Sequence, residues 1–456
     1  MPVRRWPGAP VDVSPLAQPL VLQPSGRVVK NRIMKAAMAE DLATWSAKNI
    51  QERGIPTKET IELYRRWGEG DSSFGIIVTG NIAIEYDMMN SVGENVITLA
   101  DPPDNGVPRF EAFRALAAAA KHDGSLIIGE VAHPGGQLFA RIRKDTIAPS
   151  AVQIPAREMY GSYAVPREAT QADIDHVVAS FAHAATYLAA AGFDGIALHG
   201  GHGYLLAQFL SQRHNKRTDA YGGPLTNRIR IVLEIATAIR RAVPKEFVLG
   251  LKLNSVEFQA GGMTPEQARE MCAAFAGAGG FDFVELTGGN WEDFGMAWDR
   301  ESSRRREAFF LEFADAVVPG LGPPDARTTK VFVTGGLRSA AAMVDALGTV
   351  DGVGLARPAA QEPRIARDVL EGRVSSAVRP VEGLEDLGRG FRLAGTQLAQ
   401  VARGEEPFDA SDEGMARAYL ADFDKWYQAL VDDGDKLEHR GYIQLSTPQR
   451  PYGQAY

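Results

Sequence analysis

The chain has almost no cysteine. Cys272 is the only one in 456 residues, which excludes an internal disulfide and a thiolate metal cluster within one chain. It lies in AREMCAAFAGAG, whose pattern is that of an amphipathic helix, so we expect a buried structural thiol. No apolar run approaches the roughly 20 residues that span a bilayer, and the N-terminus, broken by prolines, has no apolar core typical of a secretory signal.

Positive charge does not predominate, since 49 Lys and Arg residues stand against 57 Asp and Glu residues. The formal net charge of -8 argues against a protein that binds the nucleic-acid backbone. The one local basic run, Arg304–Arg306, is flanked by Glu301 and Glu307 and is typical of a solvated surface. These absences favour a soluble, cytoplasmic, enzyme-like chain with neither nucleic acid nor membrane among its partners.

Short apolar runs alternate with helix-like stretches along most of the chain. Runs of this length, rich in Val and Ile and bounded by turn residues, are typical of strands buried on both faces. Two intervening segments open with Thr170 and Thr264 as N-caps and close with glycine, as helices do. The eight runs begin at Arg32, Phe74, Ser125, Phe193, Phe247, Phe281, Lys330 and Val350.

Eight strands alternating with helices over about 330 residues predict a (β/α)8 TIM barrel. A doubly wound open sheet is the alternative, but GVGLAR from Gly352 has Arg357 where the dinucleotide fingerprint needs its third glycine. We place the barrel with an N-terminal extension at residues 1–375. Residues 376–456 are expected to form a C-terminal helical extension, packed on the barrel or on a partner subunit, with Trp426 and Tyr427 as candidates for a homodimer contact.

The carboxyl ends of the strands carry the active site in this fold. Strand four ends in HGGHGY, which contains His199, His202 and Tyr204. A metal site here lacks a third ligand, and satisfied structural histidines are a second interpretation. The third is a pair of donors that bind one carbonyl oxygen and stabilise charge on it, with Tyr204, whose ordinary pKa is about 10, as proton donor.

Charged residues and glycines mark the ends of other strands. Lys252 interrupts the apolar strand LGLKLN, and its ammonium is either a Schiff-base nucleophile or a group that stabilises negative charge on a cofactor ring. Gly335 and Gly336 follow strand seven, and Arg357 follows strand eight. This is the usual phosphate site of such barrels, where backbone N–H groups approach an anion closely.

The stretch AGFDGIALHGGHGYLLAQFLSQRHNKRTDAYGGPLTNR, Ala191–Arg228, resembles the old yellow enzyme family of FMN-dependent ene-reductases. NRIMKAAM, VAHPGGQ, APSAV, PREAT, VTGGL and LARPAA extend the resemblance from about Pro15 to Gly372. It implies a (β/α)8 barrel with FMN on its C-terminal face and NAD(P)H as hydride donor.

The resemblance also implies a role for each matching residue. His199 and His202 would hold a carbonyl or nitro oxygen over the flavin. Tyr204 would protonate the α carbon of the alkene while flavin N5 delivers hydride to the β carbon. Lys252, where the family has Arg, would offset charge on the reduced ring. Contacts to FMN are implied for Ala36, Ala37, Met38, Gly80, Asn81, Glu130, His199 and Lys252, and contacts to its phosphate for Gly335, Gly336, Ala356 and Arg357.

Four positions depart from the family pattern. Glu130 replaces Gln, Ala37 replaces Pro, Ala39 replaces Thr or Cys, and Gly136 replaces Arg. Alanine at 39 cannot make the hydrogen bond to flavin O4, and an ionised Glu130 would disfavour negative charge on the reduced ring. Either Glu130 is protonated, or it pairs with Lys252, or the flavin is harder to reduce than in a typical relative, and we hypothesise the last.

Three functions follow from these residues. The first is NAD(P)H-dependent reduction of a small-molecule alkene activated by a carbonyl or nitro group. The second is redox-neutral isomerisation of a C=C bond in a biosynthetic pathway, and the third is a non-catalytic flavin-binding barrel. The choice between NADH and NADPH stays open, although Arg304–Arg306 are candidates to meet a 2′-phosphate. Candidates to line the roof of the site are Phe258, Trp291, Phe294 and Trp298.

Overall fold

Eight parallel strands form a closed barrel in the computed structural model, which describes residues 3–156, 161–290, 292, 310–385 and 387–454. Each strand pairs with the next, and the eighth pairs with the first through Val353 and Ile33, which closes the ring. The predicted (β/α)8 barrel is confirmed, and the doubly wound alternative is wrong. The strands are β1 (Ile33–Lys35), β2 (Ile76–Ala83), β3 (Leu126–Ala132), β4 (Gly195–Gly200), β5 (Val248–Asn254), β6 (Phe283–Thr287), β7 (Lys330–Thr334) and β8 (Gly352–Leu355).

The helices begin where the sequence supplies caps. The hydroxyl oxygens of Thr170 and Thr264 each accept the backbone N–H three residues on, and the side chain at that position bonds back to the N–H of the threonine, as in a capping box. The helices packed around the barrel are Lys58–Gly68, Pro108–Ala120, Gln171–Ala190, Arg230–Ala242, Pro265–Gly277, Leu311–Val317, Ala340–Ala346, Arg357–Gln361 and Ile365–Leu370.

Shorter elements fill the connections. The short helices are Ser14–Ala17, Leu205–Leu210 and Leu225–Arg228, and the 3-10 turns are Ile50–Glu52, Gly135–Gln137, Val318–Leu321 and Gly434–Lys436. The short strands are Leu20–Val21 with Val28–Val29, Asn95–Val96 beside β2, and Asp145–Ala148 with Val165–Glu168.

Apolar side chains fill the half of the barrel nearest the amino ends of the strands. Phe283 and Phe332 meet edge to face at 5.7 Å between ring centroids, and they belong to one buried cluster with Met34, Ile128 and Val248. A separate, larger cluster lies between the strands and the surrounding helices, and Cys272 is fully buried in it. The polar side chains that line the cavity, such as Glu130 and Lys252, lie toward the other end of the barrel, where the strands finish.

The C-terminal extension comprises the helices Leu387–Ala402 and Glu413–Asp433. Trp45 Nε1 donates to the carbonyl oxygen of Leu437 at 2.8 Å, and Tyr442 Oη donates to that of Ala39 at 2.9 Å. Arg440 Nη1 donates to the carbonyl oxygen of Ala43 at 3.2 Å. These bonds join the extension to the loop after β1 of the same chain. The domain boundary at residue 375 and the homodimer stay predictions.

Over the same described ranges, the structure contains no helix that is both long and apolar enough to cross a bilayer.

Candidate active site

A cavity of about 660 Å³ opens at the carboxyl ends of the strands. Ala36 is 1% exposed and does not line it; its backbone N–H donates to the carbonyl oxygen of Leu355 at 3.0 Å. All the other predicted site residues line the cavity wall: Ala37, Met38, Gly80, Asn81, Glu130, His199, His202, Tyr204, Lys252, Gly335, Gly336, Ala356 and Arg357.

The rings of His199 and Tyr204 lie against each other, with centroids 4.1 Å apart. His199 Nδ1 accepts the N–H of Gly201 at 3.4 Å, which assigns the proton of a neutral imidazole to Nε2. Burial first, and then the charge of Lys252, lowers the pKa of His199 well below 6.5. The ring is therefore neutral at physiological pH and its Nε2–H is a donor.

His202 lies in the left-handed region at φ 55°. Its N–H donates to Asn254 Oδ1 at 3.0 Å, and its carbonyl oxygen accepts from Gln137 Nε2 at 2.9 Å, which holds this unfavourable backbone conformation in place. Its Nε2 lies 3.0 Å from Thr287 Oγ1. Burial, followed by the neighbouring His199 and the charge of Lys252, lowers the pKa of His202 well below 6.5, so this ring is neutral as well.

Tyr204 is 5% exposed, and its Oη accepts a hydrogen bond from Asn81 Nδ2 at 3.0 Å. Burial, followed by the nearby carboxyl of Glu94, raises the pKa of Tyr204 well above 10. The phenol is therefore protonated throughout the physiological range. A protonated phenol beside a neutral imidazole donor is suited to give one proton to a substrate whose oxygen is held by the imidazole.

Lys252 lies between two buried carboxyl groups. Its Nζ is 2.5 Å from Glu130 Oε2 and 3.5 Å from Glu285 Oε2. Burial disfavours the ammonium, but the two carboxylates outweigh it and raise the pKa of Lys252. A charged ammonium is no nucleophile, so this geometry opposes the Schiff-base interpretation and shows the pairing of Glu130 with Lys252.

The Glu130–Lys252–Glu285 triad carries one more acid than base. Burial raises the pKa of Glu130 and of Glu285, and Lys252 counteracts this for both. Each carboxyl is 1% exposed, so one excess negative charge in this site is costly and is relieved when the two acids share a proton. The charge next to the cofactor site is therefore set by the triad together with the fully buried ammonium of Lys35, whose charge also lowers the pKa of Glu130.

The turns after β7 and β8 offer unused backbone donors. Gly335 and Gly336 have φ values of 129° and 90°, which a residue with a Cβ rarely adopts. The N–H groups of Gly335, Gly336 and Ala356 bond to no acceptor in the ranges that the structure describes. With the guanidinium of Arg357 on the same wall, this donor set fits a phosphate group.

Several residues of the cavity were missed by the sequence analysis. Glu285 was detectable, since it is one acid in an apolar strand just as Lys252 is one base. Others come from loops and from the C-terminal extension, where no rule about strand ends indicates a site residue: Asp41, Asn90, Ser91, Phe391, Arg392, Trp426, Tyr427 and Tyr442.

The structure places the remaining candidates differently from the prediction, or does not describe them. Phe258 packs against Phe313, with ring centroids 5.7 Å apart, and is not among the residues that line the cavity. Trp426 and Tyr427, which the sequence suggested for a dimer contact, line the cavity of their own chain. The other predicted roof and 2′-phosphate residues lie outside the described residues: Trp291, Phe294, Trp298 and Arg304–Arg306.

Residues 16–290 match the NADH:flavin oxidoreductase / NADH oxidase family. The chain belongs to this family. The resemblance to old yellow enzyme is thereby confirmed, and the protein is an FMN-dependent oxidoreductase with NADH as its family's hydride donor.

Individual relatives cover different shares of the chain. The NADH-dependent flavin oxidoreductase nadA of Aspergillus parasiticus is 42% identical over 431 residues, which are 93% of this chain and 94% of that protein. The NADH-dependent flavin oxidoreductase iliE of Neonectria sp. is 35% identical over 384 residues. That match covers 77% of this chain and 46% of the relative, so the chain spans about half of its length.

Solved structures support the same fold. The old yellow enzyme homologue from Zymomonas mobilis superposes with a TM-score of 0.62 at 21% identity, over 79% of this chain and 94% of that one.

As an FMN family member, this chain would hold the phosphate of FMN with Gly335, Gly336, Ala356 and Arg357, and the polar edge of the flavin ring with Glu130 and Lys252.

Proposed function

We propose that this flavoenzyme reduces C=C bonds activated by a carbonyl or nitro group, with NADH or NADPH as the hydride source. The observation that carries the proposal is the pairing of His199 and Tyr204 at 4.1 Å on the cavity wall. One ring offers a neutral N–H donor and the other a protonated phenol, which are the two groups that such a reaction needs from the protein.

The two histidines bind the substrate, and the tyrosine donates the proton. His199 Nε2–H donates to the substrate oxygen, and His202 orients the same oxygen. This donation withdraws electrons from the conjugated C=C bond and stabilises the charge that develops on the oxygen. Tyr204 gives its proton to the carbon next to the activating group. Bound FMN supplies the hydride chemistry, and Lys252 with its two carboxyl partners sets the charge at its ring.

An anaerobic titration tests the proposal. We expect the purified protein to be yellow, to bleach on addition of NADH, and to regain its colour when a cyclohexenone-type alkene is added in the absence of oxygen. The saturated product should form in a one-to-one ratio with the NADH consumed. Bleaching without alkene-dependent recovery would contradict the proposed reaction while leaving the flavin chemistry intact.

Redox-neutral isomerisation of a C=C bond is the second candidate. The Glu130–Lys252–Glu285 triad favours it, because the negative charge that the triad gains when the two acids lose their shared proton opposes reduction of the flavin by nicotinamide. Anaerobic conversion of an alkene to its positional isomer, without loss of NADH absorbance, is the result that this candidate requires.

The substitution Glu130→Gln tests the charge of the triad. We expect the midpoint potential of bound FMN to rise by about 30 mV, equivalent to roughly 1.4 kcal/mol for two electrons, because the neutral amide cannot contribute the negative charge that the wild-type triad gains on losing its shared proton. The difference in midpoint potential between the variant and wild type should increase as pH rises, since the two wild-type carboxyl groups then lose their shared proton. Redox titration at acidic and alkaline pH measures it, with Glu111→Gln on an outer helix as control. An unchanged or lower potential would contradict the hypothesis that Glu130 makes this flavin harder to reduce.

A further inference from the structure

We propose that Asn81 and Glu94 are positioning residues that set the hydroxyl of Tyr204 for proton donation, a role that rests on Tyr204 being the acid of the proposed reaction. Asn81 Nδ2 lies 3.0 Å from Tyr204 Oη and 2.9 Å from Glu94 Oε1. All three side chains are buried, with Asn81 at 7%, Glu94 at 2% and Tyr204 at 5% exposure.

Asn81 reaches Tyr204 from an irregular part of β2. The pairing of β2 with β3 shifts register between Val78 and Asn81, and Asn81 lines the cavity that Tyr204 also lines. The amide nitrogen of Asn81 has two hydrogens, and each has one acceptor here, the phenol oxygen and the Glu94 carboxyl. Both donors of this amide are therefore committed.

Glu94 determines which end of the Asn81 amide faces Tyr204. Its Oε2 accepts the N–H of Asn90 at 3.0 Å, so the carboxyl is held on one side by its loop and presents Oε1 to Asn81. A flipped amide would place the acceptor oxygen of Asn81 against an oxygen of Glu94 and lose both bonds. Glu94 thus keeps the N–H end of Asn81 on the phenol.

This orientation leaves the hydroxyl hydrogen of Tyr204 available. Because Asn81 donates to Oη, the hydrogen of Tyr204 cannot lie in that bond, and the described part of the chain contains no acceptor bonded to it. The hydrogen therefore remains for a substrate bound in the cavity. When the proton leaves, the bond from Asn81 becomes a bond to a phenolate, which is stronger than a bond to a neutral phenol.

The charge state of Glu94 agrees with this role. Burial is the main reason that the pKa of Glu94 is raised to about 8, and the bond from Asn81 acts against it. With its proton on Oε2, the carboxyl still presents Oε1 as an acceptor to the amide, and it adds no negative charge beside the phenolate that forms on Tyr204. The amide of Asn81 bonds both residues.

Rates of the two half-reactions test the pair in the FMN-loaded enzyme. Asn81→Leu removes both hydrogen bonds at similar volume, and Asn81→Asp replaces the donor with an acceptor that would capture the hydrogen of Tyr204. We expect the alkene step, relative to the NADH step of the same variant, to fall about 10- to 100-fold in Asn81→Leu, the range of one hydrogen bond to a charged group. The loss in Asn81→Asp should be larger.

Glu94 does not line the cavity, so its variants repeat the test without changing a cavity residue. They test the proposal even if Asn81→Leu does not fold. Glu94→Met should lower the same ratio, and Glu94→Gln, which keeps an acceptor for the amide, should restore most of it. A merely structural role predicts that Glu94→Met slows both half-reactions together, and that result would overturn the proposal.

A double-mutant cycle separates this inference from the proposed function. If Asn81 acts through Tyr204, Asn81→Leu has no further effect on the alkene step in a Tyr204→Phe background; multiplying effects would refute the pairing. A Tyr204→Phe variant that keeps the full alkene step would instead defeat the proposed function. Without turnover, the 13C resonance of the Tyr204 Cζ, identified by its absence in Tyr204→Phe, should move in Asn81→Leu and in Glu94→Met but not in Glu94→Gln.

Discussion

Replacing Tyr204 with phenylalanine is expected to slow the alkene-dependent step by about 100- to 10,000-fold, the contribution of one general acid. The ring and its 4.1 Å contact with His199 are kept, so the change removes the proton and little else. Asn81 loses its acceptor on the phenol, while its other bond to Glu94 remains. The NADH step needs no proton from this residue and should be much less affected.

Stopped-flow absorbance of the bound flavin measures both steps separately. Reduction by NADH is recorded first, and reoxidation by a cyclohexenone-type alkene is recorded second, both under anaerobic conditions. Tyr187→Phe is a suitable control, because Tyr187 is also buried but lies in the outer helix Gln171–Ala190, away from the cavity. Equal slowing of both steps in Tyr204→Phe would show that the hydroxyl maintains the site as a whole and is not the proton donor of the alkene step.

The site residues that could be predicted from the sequence are those that follow from one rule, namely that the active site of a (β/α)8 barrel lies at the carboxyl ends of its strands. His199, His202, Tyr204 and Lys252 stand out because each is polar at the end of an apolar strand, and strand ends meet at one face of the barrel. The capped helices at Thr170 and Thr264 were predictable for a similar reason, since each cap bonds within four residues of itself.

The missed parts depend on contacts between distant residues. Glu94 bonds to Asn81 across a loop, and Tyr442 reaches Ala39 from 403 positions away, so no local pattern marks either residue. Ala36 was placed at the flavin by family resemblance, but its backbone bonds to Leu355 of the neighbouring strand and it is buried beside that strand. Ala36 follows the last residue of β1, and beyond the end of a strand the alternation of side chains no longer predicts which of them face the cavity.

Replacing Lys252 with methionine is expected to destabilise the protein by about 3–5 kcal/mol, the cost of breaking a buried ion pair on one side. Glu130 and Glu285 would remain at 1% exposure without the ammonium that now lies between them. Lys252→Arg, which keeps the charge, should retain most of the stability. Lys144→Met is the matched control, because Lys144 pairs with Asp435 at the surface, where both side chains are mostly exposed and the pair contributes little.

The pH dependence of this loss distinguishes the triad from simple packing. Burial already raises the pKa of Glu130 and Glu285, and removing Lys252 would raise both further. An acid whose folded-state pKa is raised contributes stability that is present below its unfolded pKa and is lost as pH rises through the folded pKa. Thermal unfolding of Lys252→Met and wild type, in flavin-saturated and flavin-stripped protein, should therefore diverge increasingly as pH rises above the ordinary carboxyl pKa of 4.5. A gap of equal size at every pH would mean that Lys252 stabilises the barrel through its packing and not through the two carboxyl groups.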